Sequence, residues 1–433
     1  MVDIDTPAAN RPDGLDLIIY LLDNDGSSAV ASHDDEIYGE RLDPHLGYLL
    51  THSGTYYIKA YLWSHPSVGG ENYLYTIHLS KDNTSPTANF SNVQTGDSFP
   101  GNESIPLSVQ ANDNGSGISH VQFLYHSEDW INTTWQQLAI DQNGEDGWGI
   151  SFDPTSLKEV KDIAFYANVF DWAGNWTGTG VWDLSIDRTP PISTLTQLAG
   201  IKESTAILLQ WSSSDNLSGI EHFEVQFREN NGAWINVSPN PVGSSNQIWF
   251  IGQSETDYGF RMRAVDYAGN QETYPSASET DTIIPDIATL CSSPDSFDTG
   301  RNDNSSSTAS FIAIGTAAKT HNYCNTLTLD RLSDEDWVKF TVQKNQRYLI
   351  QSLPQANMSA SILELYAADG TTLITSYYPT EFGKVSLLRW TSDRDGQIFL
   401  RIRHIDSRIA GNIVAYQLSV NKEVPVYLPL VNR

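Results

Sequence analysis

The hydrophobic and polar positions of this chain fall into short strand patterns separated by turn-forming residues. Leu15-Asp16-Leu17-Ile18-Ile19-Tyr20-Leu21-Leu22 is an apolar run of strand length and predicts a buried strand. Asp23-Asn24-Asp25-Gly26 follows as a tight hairpin turn, because Asn, Asp and Gly accept positive φ. Ser53-Gly54-Thr55-Tyr56-Tyr57-Ile58-Lys59-Ala60 predicts a second strand after a glycine turn, and Tyr73 to Leu79 alternates as a third. The order returns near the other end of the chain. Ile362-Leu363-Glu364-Leu365-Tyr366 precedes the turn Ala368-Asp369-Gly370. Asp395-Gly396-Gln397-Ile398-Phe399-Leu400-Arg401-Ile402 matches the Ser53 strand, and Ala415 to Val420 closes the unit. The later copy has an extra amino-terminal half that includes Asp334-Glu335-Asp336-Trp337-Val338-Lys339-Phe340.

Between these copies one motif pair is spelled twice. Asp113-Asn114-Gly115-Ser116-Gly117-Ile118 returns as Asp215-Asn216-Leu217-Ser218-Gly219-Ile220. Phe170-Asp171-Trp172-Ala173-Gly174-Asn175 returns as Val265-Asp266-Tyr267-Ala268-Gly269-Asn270. A repeat of about 100 residues fits tandem β-sandwiches and is too long for a solenoid. These motifs suggest either calcium ligands or backbone chemistry, and the backbone reading is favoured. Asp113 and Asp215 form Asx-turns, Gly117 and Gly219 supply positive φ, and Ile118 and Ile220 return to the core. Asp171 and Asp266 read the same way, as late hairpin turns. Proline-containing stretches mark the boundaries: Thr84-Ser85-Pro86, Asp187-Arg188-Thr189-Pro190-Pro191 and Ile284-Pro285-Asp286. Two prolines make the middle one a semi-rigid joint, and such joints predict an extended rod.

These patterns carry two resemblances. On the Asp-x-Asp-Trp-x-x-Phe strand at Asp334 to Phe340, the strand-Asp-Gly turns and Gly54-Thr55-Tyr56-Tyr57, both ends resemble the bacterial pre-peptidase C-terminal domain. That domain is a jelly-roll-like sandwich found beside secreted peptidases. Ile207-Leu208-Leu209-Gln210-Trp211 and Tyr258-Gly259-Phe260-Arg261-Met262-Arg263-Ala264 resemble a fibronectin type III or related immunoglobulin-like domain, with Tyr258 as tyrosine corner. Ile163 takes that place in the preceding domain, which resembles a bacterial immunoglobulin-like variant. The expected fold is therefore all-β: tandem β-sandwiches, with jelly-roll-like domains at both ends and two immunoglobulin/fibronectin-like sandwiches between. The expected divisions are 1–82 (a truncated jelly-roll with unpaired edges), 84–188, 189–285, 286–424 and a tail strand at 425–433. In the tail, Val426-Tyr427-Leu428-Pro429-Leu430-Val431 is either an edge strand or an attachment signal.

What the resemblance implies is a non-catalytic accessory and spacer region of a secreted or surface bacterial protein, associated with an extracellular peptidase or other hydrolase. Its partners would be an extracellular polymer, polysaccharide or protein, or a linked catalytic domain. A carbohydrate- or matrix-binding adhesin and a hydrolase with an unrecognised site are the rivals. Calcium-binding members of the pre-peptidase family draw ligands from an acidic stretch and from the Asp-x-Asp strand. The matching positions here are Asp298, Asn302, Asp303, Asp334 and Asp336, for a structural calcium ion. Arg301, inside the acidic stretch, departs from the family pattern.

Composition narrows the function classes. The net charge of −28 repels phosphate backbones and disfavours a nucleic-acid partner, while attracting cations. The longest apolar run is too short for a membrane span. No His-Glu-x-x-His or Gly-x-Ser-x-Gly occurs, so no catalytic residue is assigned. The two cysteines, Cys291 and Cys324, read either as one disulfide or as two buried thiols. Met1-Val2-Asp3-Ile4-Asp5 is not an export signal, although the composition looks exported, so a shortened amino terminus is expected. Residues 84–188 are rich in tryptophan. Trp130, Trp135 and Trp176 are candidate ligand contacts, since loop aromatics serve packing, sugar stacking or protein contacts.

Overall fold

A computed structural model describes residues 2–5, 17–34, 44–62, 74–127, 134–293, 295, 303–324 and 334–423. The described chain is all-β but for one short helix, and its sheets pair into tandem β-sandwiches. It forms two compact units. The first holds Met1–Pro190 with the loops Asp215–Gly219 and Asp266–Asn270; the second holds Pro191–Ser214, Ile220–Val265 and Gln271–Arg433. Trp130, Asp298, Asn302 and the tail lie outside the described residues.

The first unit opens with strands β1 (Val2–Asp5), β2 (Leu17–Leu22), β3 (Ala29–His33), β4 (His45–Leu46), β5 (Tyr57–Leu62) and β6 (Thr76–Leu79). They form two three-stranded sheets, β4-β1-β6 and β3-β2-β5. The alternation in Leu17, Ile19 and Leu21 points one face of β2 into a small core with Leu46 and Leu62. The Ser53–Ala60 expectation starts early, since β5 begins at Tyr57, and the short strands β3 and β4 carry too little pattern to be read.

The second sandwich follows, with β7 (Thr87–Phe90), β8 (Ser98–Phe99), β9 (Ile105–Asn112), β10 (Ile118–His126), β11 (Gln136–Asp141), β12 (Trp148–Phe152), β13 (Val160–Asp171) and β14 (Trp176–Ile186). Its sheets run β11-β10-β13-β14-β8 and β12-β9-β7. Between them Leu107, Val121, Phe123, Phe165, Ala167 and Leu184 are buried. The motif turns sit where β9 leads to β10 and β13 leads to β14.

The second unit begins with β15 (Ile192–Leu195), β16 (Ala206–Ser214), β17 (Ile220–Glu229), β18 (Ile235–Asn236), β19 (Gln247–Ile251), β20 (Thr256–Asp266) and β21 (Thr280–Ile284). Sheets β15-β16-β19 and β18-β17-β20-β21 enclose Trp211, Phe223, Phe260 and Met262. Tyr258 is buried, accepts from the Gln253 amide at 2.8 Å and donates to Glu229 Oε1 at 3.2 Å, the geometry of a tyrosine corner. Helix α1 (Ile287–Leu290) is capped by Asp286, whose carboxylate accepts from the Thr289 amide at 2.8 Å.

The jelly-roll is built from β22 (Ser310–Phe311), β23 (Lys319–Asn322), β24 (Glu335–Val342), β25 (Arg347–Pro354), β26 (Ser361–Tyr366), β27 (Leu373–Tyr377), β28 (Ser386–Thr391), β29 (Gly396–His404) and β30 (Ala415–Glu423). Its sheets run β22-β24-β29-β26-β27 and β23-β30-β25-β28. Cys291 and Cys324 are joined by a disulfide with Cα atoms 5.2 Å apart. The core continues into the preceding sandwich through Ala206, Trp249 and Ile251, and Trp249 meets Phe382 edge-on at 5.9 Å.

Candidate functional site

Each copy of the doubled motif gathers three aspartates. In the first, Asp82 is the residue that local sequence reasoning missed. It comes from the linker ahead of β7 and is buried. Its Oδ1 accepts from the Thr84 amide at 2.9 Å and the Thr84 hydroxyl at 2.6 Å. Its Oδ2 accepts from the Ser116 amide at 2.8 Å and the Ser116 hydroxyl at 2.9 Å. Asp113 Oδ2 caps its own loop, accepting from the amides of Gly115 at 3.1 Å and Gly117 at 2.7 Å. Asp171 holds both the amide and the side-chain amide of Asn175, at 2.7 and 2.8 Å. The ligand atoms of Asp82, Asp113 and Asp171 lie within 4.8 Å of one another.

Asp187, Asp215 and Asp266 repeat the arrangement. Asp215 Oδ2 accepts from Leu217 N at 3.0 Å and Gly219 N at 2.7 Å. Asp266 holds Asn270 N and Nδ2, both at 2.8 Å. Asp187 reaches Ser218 N at 2.8 Å and Thr189 N at 3.1 Å, and Asn270 Nδ2 returns to the Asp187 carbonyl at 2.9 Å. The Asx-turns are thus present, and each is fastened to the linker before its domain.

The electrostatics of the two trios differ. Burial alone pushes the Asp82 carboxyl up, but the bonds from Thr84 and Ser116 outweigh it and hold the group well below the usual carboxylate range. Burial raises Asp266, and the charges of Asp187 and Asp215 add to it, against the bonds from Asn270.

A third group lies in the jelly-roll, where ligand atoms of Asp295, His321 and Asp336 fall within 4.8 Å. His321, Asp336, Asp303 and Asp334 are fully buried. Asp336 receives the Tyr416 hydroxyl and lies 3.3 Å from His321 Nδ1, and His321 stacks on Tyr416 at 5.2 Å. Burial works against a charged imidazole, but Asp336 foremost, then Asp295 and Asp303, overturn this and raise the pKa of His321. Of the five candidate calcium ligands, Asp303, Asp334 and Asp336 are described. Of these only Asp336 belongs to the cluster with Asp295 and His321, and His321 and Tyr416 already engage it. Neither Asp295 nor His321 carried a readable signal, because both meet β24 only through the fold.

Trp135, Trp176 and Trp182 lie exposed on the five-stranded sheet of the second sandwich, whereas Trp148 packs against the core. Trp135 lies 5.5 Å from Trp182 and 5.6 Å from Tyr166. Trp176 lies 6.3 Å from Phe170, which stacks on His120 at 4.6 Å. A Cβ on Gly178 would sit 2.0 Å from the Tyr166 hydroxyl oxygen, and one on Gly180 would sit 2.8 Å from the Tyr166 ring. These glycines let Tyr166 lie down on β14. Trp135 belongs to one aromatic group with Tyr166 and Trp182, and Trp176 to another with Phe170 and His120. The alternation of Gly178, Gly180 and Trp182 was the available signal for the first group.

No family model matches the chain, and no curated protein matches it. Solved structures do. The pre-peptidase C-terminal domain of a collagenase from Bacillus anthracis aligns at 17% identity over 26% of this chain and 93% of its own, with a TM-score of 0.20. A structure of a 1.5-MDa bacterial ice-binding adhesin aligns at 12% identity over 79% of this chain and 98% of its own, with a TM-score of 0.25. A two-domain fibronectin type III segment of chicken tenascin aligns at 11% identity over 44% and 97%, with a TM-score of 0.19. At these values the likeness carries no argument about this chain. Among the described residues no helix is long and apolar enough to cross a membrane.

Proposed function

We propose that this chain is a non-catalytic accessory region of a secreted or surface bacterial protein, working beside an extracellular peptidase or other hydrolase. In this reading the sandwiches space their neighbours and the jelly-rolls dock. The observation that carries it is the twofold recurrence of one linker-to-loop lock, in which Asp82 holds Ser116 and Asp187 holds Ser218. In this reading the buried carboxylate of each lock stiffens its linker. The two buried histidines of the jelly-roll fit a structural role, since His321 is covered by Tyr416 and His404 spans the carbonyls of Met358 and Asp406. Limited proteolysis tests the spacer reading. Residues 82–86 and 187–191 should resist cleavage in the wild type and become sensitive in Asp82→Ala and Asp187→Ala. Wild-type cleavage there before anywhere else, or turnover of casein or a glycan abolished by one acid or Ser substitution, refutes it.

The aromatic face supports a second reading, contact with a polysaccharide. Tyr166 lying flat over Gly178 and Gly180, between exposed Trp135 and Trp182, offers stacking surface for sugar rings. Retention on immobilised glycans that is lost in Trp182→Ala and Trp135→Ala, with melting temperature kept, is the expected result. Structural calcium at Asp303, Asp334 and Asp336, completed by Asp298 and Asn302, belongs to the same proposal. Calcium should raise the melting temperature of the jelly-roll, and Asp334→Asn should remove that increment.

A further inference from the structure

The first six strands are a copy of the later part of the jelly-roll, and among the described residues no strand corresponds to β24 beside it. Sheet β3-β2-β5 corresponds to β27-β26-β29, and sheet β4-β1-β6 to β28-β25-β30, with the same antiparallel neighbours. The hairpin turns agree atom for atom. Asp25 Oδ1 accepts from the amides of Ser27 and Ser28 while Oδ2 takes the Ser28 hydroxyl. Asp369 does the same with Thr371 and Thr372. Both hairpins shift register at the same place, between Leu21 and Leu22 and between Leu365 and Tyr366.

In the complete copy β29 continues to β24, and β30 continues to β23. Among the described residues no strand pairs with the outer edge of β5. There a groove of about 360 Å³ opens, lined by Val2, Leu21, Leu46, Tyr56, Ile58 and Leu79. The shared turn fixes the correspondence. Leu21 pairs with Ile58 as Leu365 pairs with Leu400, each four residues before its turn aspartate. Ile58 and Tyr56 therefore stand for Leu400 and Ile398, whose cross-strand partners on β24 are Val338 and Phe340. Those side chains are buried in the jelly-roll core, so the groove is the space they fill. Charge agrees as well. Lys59 stands for Arg401, which lies 3.5 Å from Glu335 at the start of β24. Leu79 is 67% exposed, as expected of a core position lacking its cover.

We infer that this side is a strand-acceptor site. It takes, antiparallel to β5, an extended peptide segment of about eight residues. That segment has apolar residues at three alternating positions and an acidic residue at its amino-terminal end, like Glu335–Val342. The inference does not rest on the accessory-region reading.

The test uses the full chain and a fluorescent synthetic peptide, Glu-Asp-Trp-Val-Lys-Phe-Thr-Val. Expected are saturable binding, slowed hydrogen exchange at the β5 amides, and affinity at least about tenfold weaker for a scrambled peptide. Leu79→Asp should weaken binding by a similar factor, and its exposure means that the variant folds. Ile58→Asp, checked for its melting transition, tests the groove floor. Absence of saturable binding up to millimolar peptide overturns the inference. So does binding that ignores both the scramble and Leu79→Asp. A concentration-dependent dimer that Leu79→Asp abolishes and the peptide does not displace makes the occupant a second copy, and overturns it too.

Discussion

Replacing Asp82 with Ala removes four hydrogen bonds to a buried carboxylate, and the structure says which of them matter. Thr84 is exposed, so its amide and hydroxyl turn to water at little cost. Ser116 is 2% exposed, so its amide has no such exchange. Its hydroxyl keeps one contact, accepting from the Ala173 amide at 3.0 Å, and loses its acceptor. A hydrogen bond to a charged group is worth about 1.5–3 kcal/mol net, and an orphaned buried donor costs about 1–3 kcal/mol. Two such losses that are not additive give about 3–4 kcal/mol for Asp82→Ala. Asp82→Asn keeps one oxygen for Ser116 and should cost about half of that. The direct assay is hydrogen exchange at the Ser116 amide. About 3 kcal/mol corresponds to roughly a hundredfold faster exchange, with Asn intermediate. Exchange at Ser116 unchanged in Asp82→Ala refutes the assignment of Asp82 as the lock.

Acid supplies an independent check of the same residue. Its folded pKa lies below the ordinary 3.8, so its stabilisation is full above that value and is lost as pH falls through the folded pKa. Asp266 has the opposite sign. Its folded pKa lies above 3.8, so its charged form is penalised at neutral pH and the penalty fades on acidification. Carboxyl NMR should therefore show Asp82 titrating below 3.8 and Asp266 above it; the reverse order would contradict the hydrogen-bond account.

Three further outcomes follow from single contacts. Gly115→Leu copies the residue of the second motif, but a Cβ at Gly115 would sit 2.2 Å from Asp82 Oδ2, so a cost of about 1–3 kcal/mol in thermal unfolding is expected, against no comparable gain from Leu217→Gly. Cys324→Ser opens a loop of 33 residues, and the chain-entropy relation gives a loss of about 3–4 kcal/mol, read by urea denaturation beside the reduced wild type. Tyr258→Phe strips the Gln253 amide and Glu229 of their partner and should cost about 1–3 kcal/mol; a neutral result would show that the corner does not hold the third sandwich.

What was legible in the sequence was whatever the chain decides locally. The Asx-turns at Asp113 and Asp215 join atoms two and four residues apart, so the motif contains them whole. The tyrosine corner and the Asp-Gly hairpins are local in the same sense. The likeness of the first domain to the jelly-roll was visible because the same strand-and-turn order recurs within one chain. The linker aspartates were not visible, because Asp82 and Asp187 meet Ser116 and Ser218 across 34 and 31 residues, and nothing in their neighbourhood marks them. The reading of the middle linker as a proline-stiffened joint was therefore incomplete, since its aspartate is held by the loop it precedes. Likewise the core shared by Trp249 and Ile251 with the jelly-roll has no pattern of its own, since their alternation also satisfies the third sandwich.

The two locks also show that a shared motif does not set a shared strength. Both copies supply a serine amide at the same place, so both linker aspartates find one donor. The rest is decided by neighbours outside the motif. The Thr84 hydroxyl turns back to Asp82 at 2.6 Å, whereas the Thr189 hydroxyl is drawn to Glu159 at 2.7 Å. The Ser116 hydroxyl bridges Asp82 and Ala173, whereas the buried Ser218 hydroxyl has no partner. Asp187 thus holds two bonds where Asp82 holds four, one of them to exposed Thr189. Asp187→Ala should accordingly cost about 2 kcal/mol, clearly less than Asp82→Ala. Freeing the Thr189 hydroxyl for the lock through Glu159→Ala should narrow the gap. Equal losses for the two alanine variants would mean that the serine amide alone carries each joint.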